Sequence, residues 1–141
     1  MVVHLSGLAV PWERESSDGR RLLFERGSLY VATDAFLWLN HRREGVTYAS
    51  VRAGSLLLEP AHDGLYLWAR LEGYSAGMVF DAWRCGIVRG WSPGWGAGTE
   101  KSTRDGSGVI RIRRARMHEI SLLCAPKQPA FPGTTFEVDI R

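Results

Sequence analysis

Gly90-Trp91-Ser92-Pro93-Gly94-Trp95 has the form G-x-S-x-G-aromatic, and two different folds can be read from it. In α/β-hydrolases this pattern is a sharp strand-to-helix turn that presents a nucleophile, with an acid and then a histidine downstream. Here a polar, glycine-rich stretch follows instead, from Gly94-Trp95-Gly96-Ala97-Gly98 to Asp105-Gly106-Ser107-Gly108, and 141 residues is short for that fold. The hydrolase-elbow reading is rejected. Ser-Pro-Gly also makes an ordinary β-turn, with Pro presetting φ and Gly accepting a positive one. The segments on either side must decide.

Upstream, the best helix candidate runs toward the serine. Ser75 can cap its amino terminus, Met78, Val79, Ala82 and Trp83 recur at helical spacing, and Gly86 offers a stop. Before it, Glu59-Pro60-Ala61-His62-Asp63-Gly64 reads as a hairpin turn in which Asp-Gly supplies a positive φ. Leu65 to Leu71 then alternates as a strand. Val2 to Pro11, Leu22 to Phe24, Leu29 to Val31 and Phe36 to Leu39 are short apolar runs of strand character. Downstream, residues 96–108 are expected to form a flexible loop. Val109 to Ile112 and Met117 to Cys124 read as two strand segments or one long bent strand. From about residue 126 the proline-punctuated tail should be extended and on the surface. The expectation is one domain, 1–141, mainly β with one or two helices (β-rich α+β). Its architecture should be a small closed or partly open antiparallel barrel.

Composition narrows the class. Hydrophobic residues make up 45% and charged residues 23%, as in a globular protein rather than a disordered one. No apolar run reaches the roughly 18–20 residues needed to span a bilayer. Met1-Val2-Val3-His4-Leu5 lacks the basic segment and apolar run of a signal peptide, so a cytoplasmic location is expected. Cys85 and Cys124 have no metal-site spacing and read as buried thiols. The net charge is +3 and arginine carries nearly all the positive charge, since Lys101 and Lys127 are the only lysines. Asn40 and Gln128 are the only side-chain amides, a bias that heat selection or GC-rich coding would produce equally.

Three groups have the makings of acyl-transfer chemistry: a serine nucleophile, a base to take its proton, and an acid to orient the base. Ser92 is the nucleophile candidate. His41 closes the run Phe36-Leu37-Trp38-Leu39-Asn40 and is the candidate base. His118-Glu119 offers the third member, and strand alternation sends these neighbours to opposite faces, so at most one can serve. Each has an ordinary reading too, His41 as a core histidine and Ser92 as a turn residue. His62 sits in a turn beside Asp63, and His4 lies near the terminus.

Taken in order, these segments resemble the tailed-phage head maturation (prohead) proteases, which are related in fold to the herpesvirus assembly proteases. The matching features are Gly7-Leu8-Ala9-Val10 with the charged loop up to Gly27, Leu37-Trp38-Leu39-Asn40-His41, and Asp63-Gly64-Leu65-Tyr66. They continue with a helix leading into Gly90, Ser92, Gly94 and Trp95, then Glu119-Ile120-Ser121-Leu122 and the Pro126–Pro129 segment. The resemblance implies a herpesvirus-protease-like fold with His41, Ser92 and Glu119 as the catalytic set. It implies cleavage of the major capsid protein, its scaffolding segment and the enzyme itself inside assembling proheads in the host cytoplasm, and a homodimer or higher oligomer. Oxyanion donors would come from the backbone around Ala125 to Lys127. No metal or cofactor is implied. Arg42-Arg43 replaces a usual Asp after the histidine, and Pro93 replaces an aliphatic residue and removes one N–H.

Two rivals come from other classes. A catalytically silent homologue would keep the fold as an assembly factor. A basic, Trp-rich β-barrel module would bind nucleic acid or capsid protein, using Arg111-Ile112-Arg113-Arg114-Ala115-Arg116 with interleaved aromatics. Against it, the arginines read equally as the solvated face of a strand.

Overall fold

The spine of the molecule is Ile110–Cys124, which forms a single strand of 15 residues. In a computed structural model, described over residues 1–42, 45–96, 98–132 and 137–140, the elements follow in this order. The first strands are β1 Val2–Pro11, β2 Leu22–Phe24, β3 Leu29–Tyr30, β4 Phe36–Leu39, β5 Ala49–Ser50, β6 Leu56–Pro60 and β7 Gly64–Glu72. Then come α1 Gly73–Arg84, β8 Val88–Trp95, β9 Lys101–Arg104, β10 Ile110–Cys124 and β11 Glu137–Ile140.

β2, β3 and β4 run parallel to β10 in succession, while β9 and β8 run antiparallel to it. β10 thus lies between β2 and β9 at one end and between β4 and β8 at the other. β5 extends this sheet beyond β4. A second, wholly antiparallel sheet has the order β11-β1-β7-β6. The mainly β chain with one helix is as expected, and of the closed and partly open alternatives the sheets do not close. The correction is that the β10 sheet is mixed rather than antiparallel.

Two register shifts explain how one strand of that length keeps its apolar side inward. They fall between Ile112 and Arg114 and between Met117 and Glu119. Each inserts an extra residue and exchanges the two faces. The inward residues are therefore Ile112, then Ala115 and Met117, then Ile120, Leu122 and Cys124. All of these but Cys124 join Val3, Leu5 and Val10 of β1 and Leu65, Leu67, Ala69 and Leu71 of β7 in one core. Each fully buried leucine or isoleucine contributes about 1.5–3 kcal/mol.

Several local expectations need correction. Gly64 is not a positive-φ turn residue; a Cβ there would fall 2.5 Å from Leu8 Cδ1 and 3.1 Å from Pro11 Cα, so it is the closeness of β1 that requires glycine. Ser75 does not cap α1. The helix begins at Gly73, whose φ of 60° makes the strand-to-helix turn, and Glu72 precedes it without a side-chain cap. Gly86 does end the helix, with φ 72°, its N–H on Trp83 O and the N–H of Ile87 on Ala82 O, the paired bonds of a Schellman motif. Within the expected loop 96–108, Lys101–Arg104 forms β9 on the edge of β10; Ala97 lies outside the described residues. The tail is not superficial either. Ala130 and Phe131 are buried, Phe131 edge-on to Phe24, and Glu137–Ile140 pairs with β1. Of the two thiols, Cys124 is buried and Cys85 is exposed.

Candidate active site

β4, β10 and β8 lie side by side where Ser121 of β10 pairs with Trp38 on one flank and Ser92 on the other. Ser92 is therefore in a strand, not a turn. Glu119 and Ser121, two residues apart, share one face of β10, and pairing puts Ser92 beside them on that face.

His41 reaches the same place from β4. After Leu39 the chain turns back through two residues in the left-handed region, Asn40 at φ 51° and His41 at φ 59°. Asparagine tolerates that region better than most residues. Asn40 also ties the turn to β10: its N–H donates to Leu122 O at 3.0 Å, and its Oδ1 accepts from Cys124 N at 2.9 Å. The left-handed His41 is strained backbone held by its surroundings. Its own N–H donates to Ser121 Oγ at 2.9 Å.

The imidazole then bridges the other two groups. His41 Nε2 is 2.9 Å from Ser92 Oγ. His41 Nδ1 is paired with Glu119 Oε1. The second carboxylate oxygen, Oε2, accepts a hydrogen bond from Ser121 Oγ at 2.7 Å. Ser121 thus receives the histidine's backbone and holds its carboxylate partner. Glu119 is 2% exposed and Ser92 3%, whereas 38% of the His41 side chain remains accessible. A buried carboxylate is costly unless its oxygens are paired, and here both are.

The two glycines of the serine motif have separate jobs. Gly90 has φ 148°, and a Cβ there would lie 3.3 Å from Pro129. Gly94 lies beneath Glu119; a Cβ would be 2.7 Å from Cδ and 2.8 Å from Cγ of that side chain. The aromatic after it, Trp95, packs edge-on to Phe24 and donates from Nε1 to Glu100 at 2.7 Å. Pro93 sits opposite Ile120. It fits because β10 is the only ladder partner of β8 among the described residues, leaving one edge of β8 free of ladder bonds.

A cavity of about 270 Å³ opens on Ser92 and His41, lined also by Asp18, Arg20, Leu123, Lys127 and Gln128. The backbone donors expected at Ala125 to Lys127 are already committed. Ala125 N donates to Ile87 O at 2.8 Å, Lys127 N to Cys124 O at 3.1 Å, and Pro126 has no N–H. That part of the sequence reading is corrected. A larger apolar cavity, about 390 Å³, is lined by Met78, Val79 and Cys85 of the α1 region together with Leu39, Leu122 and Cys124, and touches none of the three groups.

The remaining histidines lie elsewhere. His118 is exposed with its ring edge-on to Trp38, His62 approaches Arg26, and His4 packs near Trp68. Arg42 is exposed, and Arg43 lies outside the described residues. Among the described residues no cluster of three or more His, Cys, Asp or Glu side chains could hold a metal, and no helix is long and apolar enough to cross a membrane. Sequence reasoning named His41, Ser92 and Glu119, which the fold brings together, but gave no role to Ser121 or Asn40. The only available signal for them was adjacency: Ser121 lies two residues after Glu119 and Asn40 directly before His41. Comparisons with protein-family models, curated proteins and solved structures return no match to this chain.

Proposed function

We propose that the protein is a serine endopeptidase of the prohead maturation type, with a herpesvirus-protease-like catalytic fold. The observation that carries this reading is the relay Ser92 Oγ–His41 Nε2–His41 Nδ1–Glu119, with its first link at 2.9 Å. That is the order of contacts a serine nucleophile needs: base within reach, and the base oriented by a carboxylate.

In the proposed reaction Ser92 Oγ attacks the scissile carbonyl carbon while its proton passes to His41 Nε2. Glu119 offsets the charge of the imidazolium and keeps Nδ1 protonated in the resting state. The carbon–nitrogen bond then breaks, and His41 returns the proton to the leaving amine. Water, deprotonated by His41, attacks the acyl-serine ester, and release of the new carboxyl terminus restores Ser92. The substrates would be the capsid protein's scaffolding segment and the enzyme's own termini.

The test is twofold. A fluorophosphonate probe should modify Ser92 in the folded protein and leave Ser92→Ala unmodified. Mass spectrometry of a phage capsid protein bearing its scaffolding segment, incubated with each form, should show cleavage only with the wild type. A folded wild-type protein that neither takes the probe nor cleaves would sink the protease reading and favour the silent homologue.

A further inference from the structure

Beyond the triad, the active-site face of β10 continues toward its amino-terminal end as a stripe of arginines. Ala115 and Met117 point into the core, so Arg114 and Arg116 project outward, and the bulge at His118 brings Glu119 and Ser121 onto that same outward face. Arg114 lies over the Tyr30 ring at 4.3 Å, and the Arg116 guanidinium extends over Gly96. Further along the same face, opposite Glu119 and Ser121, Phe36 and Trp38 of β4 stack at 5.8 Å with their planes 2° apart. Other arginines are paired with acids: Arg20 with Asp18, Arg21 with Glu15, Arg70 with Glu72, Arg84 with Asp81, and Arg111 with Glu13 and Glu25. Arg14, Arg26, Arg42, Arg52 and Arg89 are scattered and without an ion pair among the described residues, so what sets the stripe apart is the alignment of its arginines on one face. Lys101, Arg104, Arg113, Arg114 and Arg116 form no ion pair among the described residues.

We infer that this stripe is an extended subsite for an acidic peptide segment of the substrate, an inference that rests on the protease reading above. Charge complementarity favours an anion. Continuity with the triad along one strand favours a polypeptide over a nucleic acid, because the same face ends at the group that would attack a peptide carbonyl. With His118 as the inserted residue, Arg116 lies two ladder steps and Arg114 four from Glu119, about 7 Å and about 13 Å along the strand at about 3.3 Å per step. An extended substrate would therefore place acidic side chains about two to four residues from that point. Side chains on one face of an extended peptide repeat at the same spacing as Arg114 and Arg116, so alternate acids would meet successive arginines.

Fluorescein-labelled (Gly-Glu)5, (Gly-Gln)5 and an oligothymidylate of ten nucleotides, titrated into Ser92→Ala protein, test this by anisotropy. The acidic peptide should bind, the glutamine peptide should not, and binding should weaken with salt. Arg114→Ala/Arg116→Ala should weaken it by about tenfold, whereas Arg114→Lys/Arg116→Lys should retain most of it. In wild-type protein the acidic peptide should slow fluorophosphonate labelling of Ser92. Equal binding of the two peptides, no effect of the alanine pair in a protein with an unchanged melting curve, or tighter binding of the oligonucleotide would each overturn the inference. Peptide binding to the serine-less protein does not depend on reactivity, so it fails or succeeds separately from the protease reading.

Discussion

Replacing Gly94 by alanine should disable the site without touching any of its reacting groups. The added Cβ would sit 2.7 Å from Glu119 Cδ and 2.8 Å from Cγ, inside any normal carbon–carbon contact. The carboxylate has no free direction in which to yield, because one oxygen is held by His41 and the other by Ser121. Swinging it away would forfeit two charge-assisted hydrogen bonds, about 1.5–3 kcal/mol each. Shifting β8 instead costs about 1–3 kcal/mol, the usual range for overpacking, so the strand should move. Ser92 is two residues along the same strand, and a displacement of about 1 Å at a reacting atom is worth about 10²-fold in rate. The expected outcome is a loss of about 1–3 kcal/mol in urea unfolding and about 100-fold slower fluorophosphonate labelling. The same substitution in a Glu119→Ala background should be nearly neutral for stability, since nothing remains to collide with. If Gly94→Ala is as stable and reactive as wild type, or is equally damaging in both backgrounds, the steric argument is wrong.

Other outcomes follow from single contacts. Glu119→Gln should lower kcat/KM by about 10²–10⁴-fold and His118→Gln by no more than a few-fold. With Ser121 donating to the amide oxygen, the NH2 would face His41 Nδ1 and force the ring proton onto Nε2, toward Ser92; a crippled His118→Gln beside a normal Glu119→Gln would reverse the assignment. Ser121→Ala leaves the His41 N–H and Glu119 Oε2 without their partner and should cost about 1–3 kcal/mol by chemical denaturation. Gly77→Ala, where an added Cβ meets nothing within 4 Å, should instead raise stability by about 0.5–1 kcal/mol. Iodoacetamide should label exposed Cys85 quickly and Cys124 slowly below alkaline pH, because burial pushes the Cys124 thiol pKa up and lowers its thiolate fraction. Burial raises Tyr48 in the same way, so both groups ionise more readily in the unfolded chain and stability should fall as pH rises through about 9 to 10.

The sequence was most legible where local rules govern. The ends of β1, the short runs β2 and β4, the alternation of β7 and the stop at Gly86 all follow from periodicity and glycine chemistry. It was least legible where distant segments set the requirement. Gly64 looked like a turn glycine but answers to the approach of Leu8 and Pro11. Phe131 and β11 looked like surface tail because nothing local reveals that β1 offers a free edge and Phe24 a partner. Ser75 looked like a cap because the left-handed Gly73 that starts the helix two residues earlier carries no side-chain signal.

β10 shows why the site was visible in part and the fold around it less so. Read by alternation alone, Ile110–Cys124 breaks into two segments, since Ile112, Ala115, Met117 and Ile120 do not share one parity. The structure keeps it whole by inserting Arg113 and His118 as extra residues. The second insertion also matters for the chemistry. Without it, Met117 and Glu119 would fall on the same face, and either the carboxylate would enter the apolar core or Met117 would leave it. With it, Met117 stays inside and Glu119 turns toward Ser92 and His41. Simple alternation says only that His118 and Glu119 cannot both serve, and the choice of Glu119 comes from the Glu119-Ile120-Ser121-Leu122 resemblance. His118 is the residue the bulge spends, and Glu119 faces the imidazole because of that irregularity.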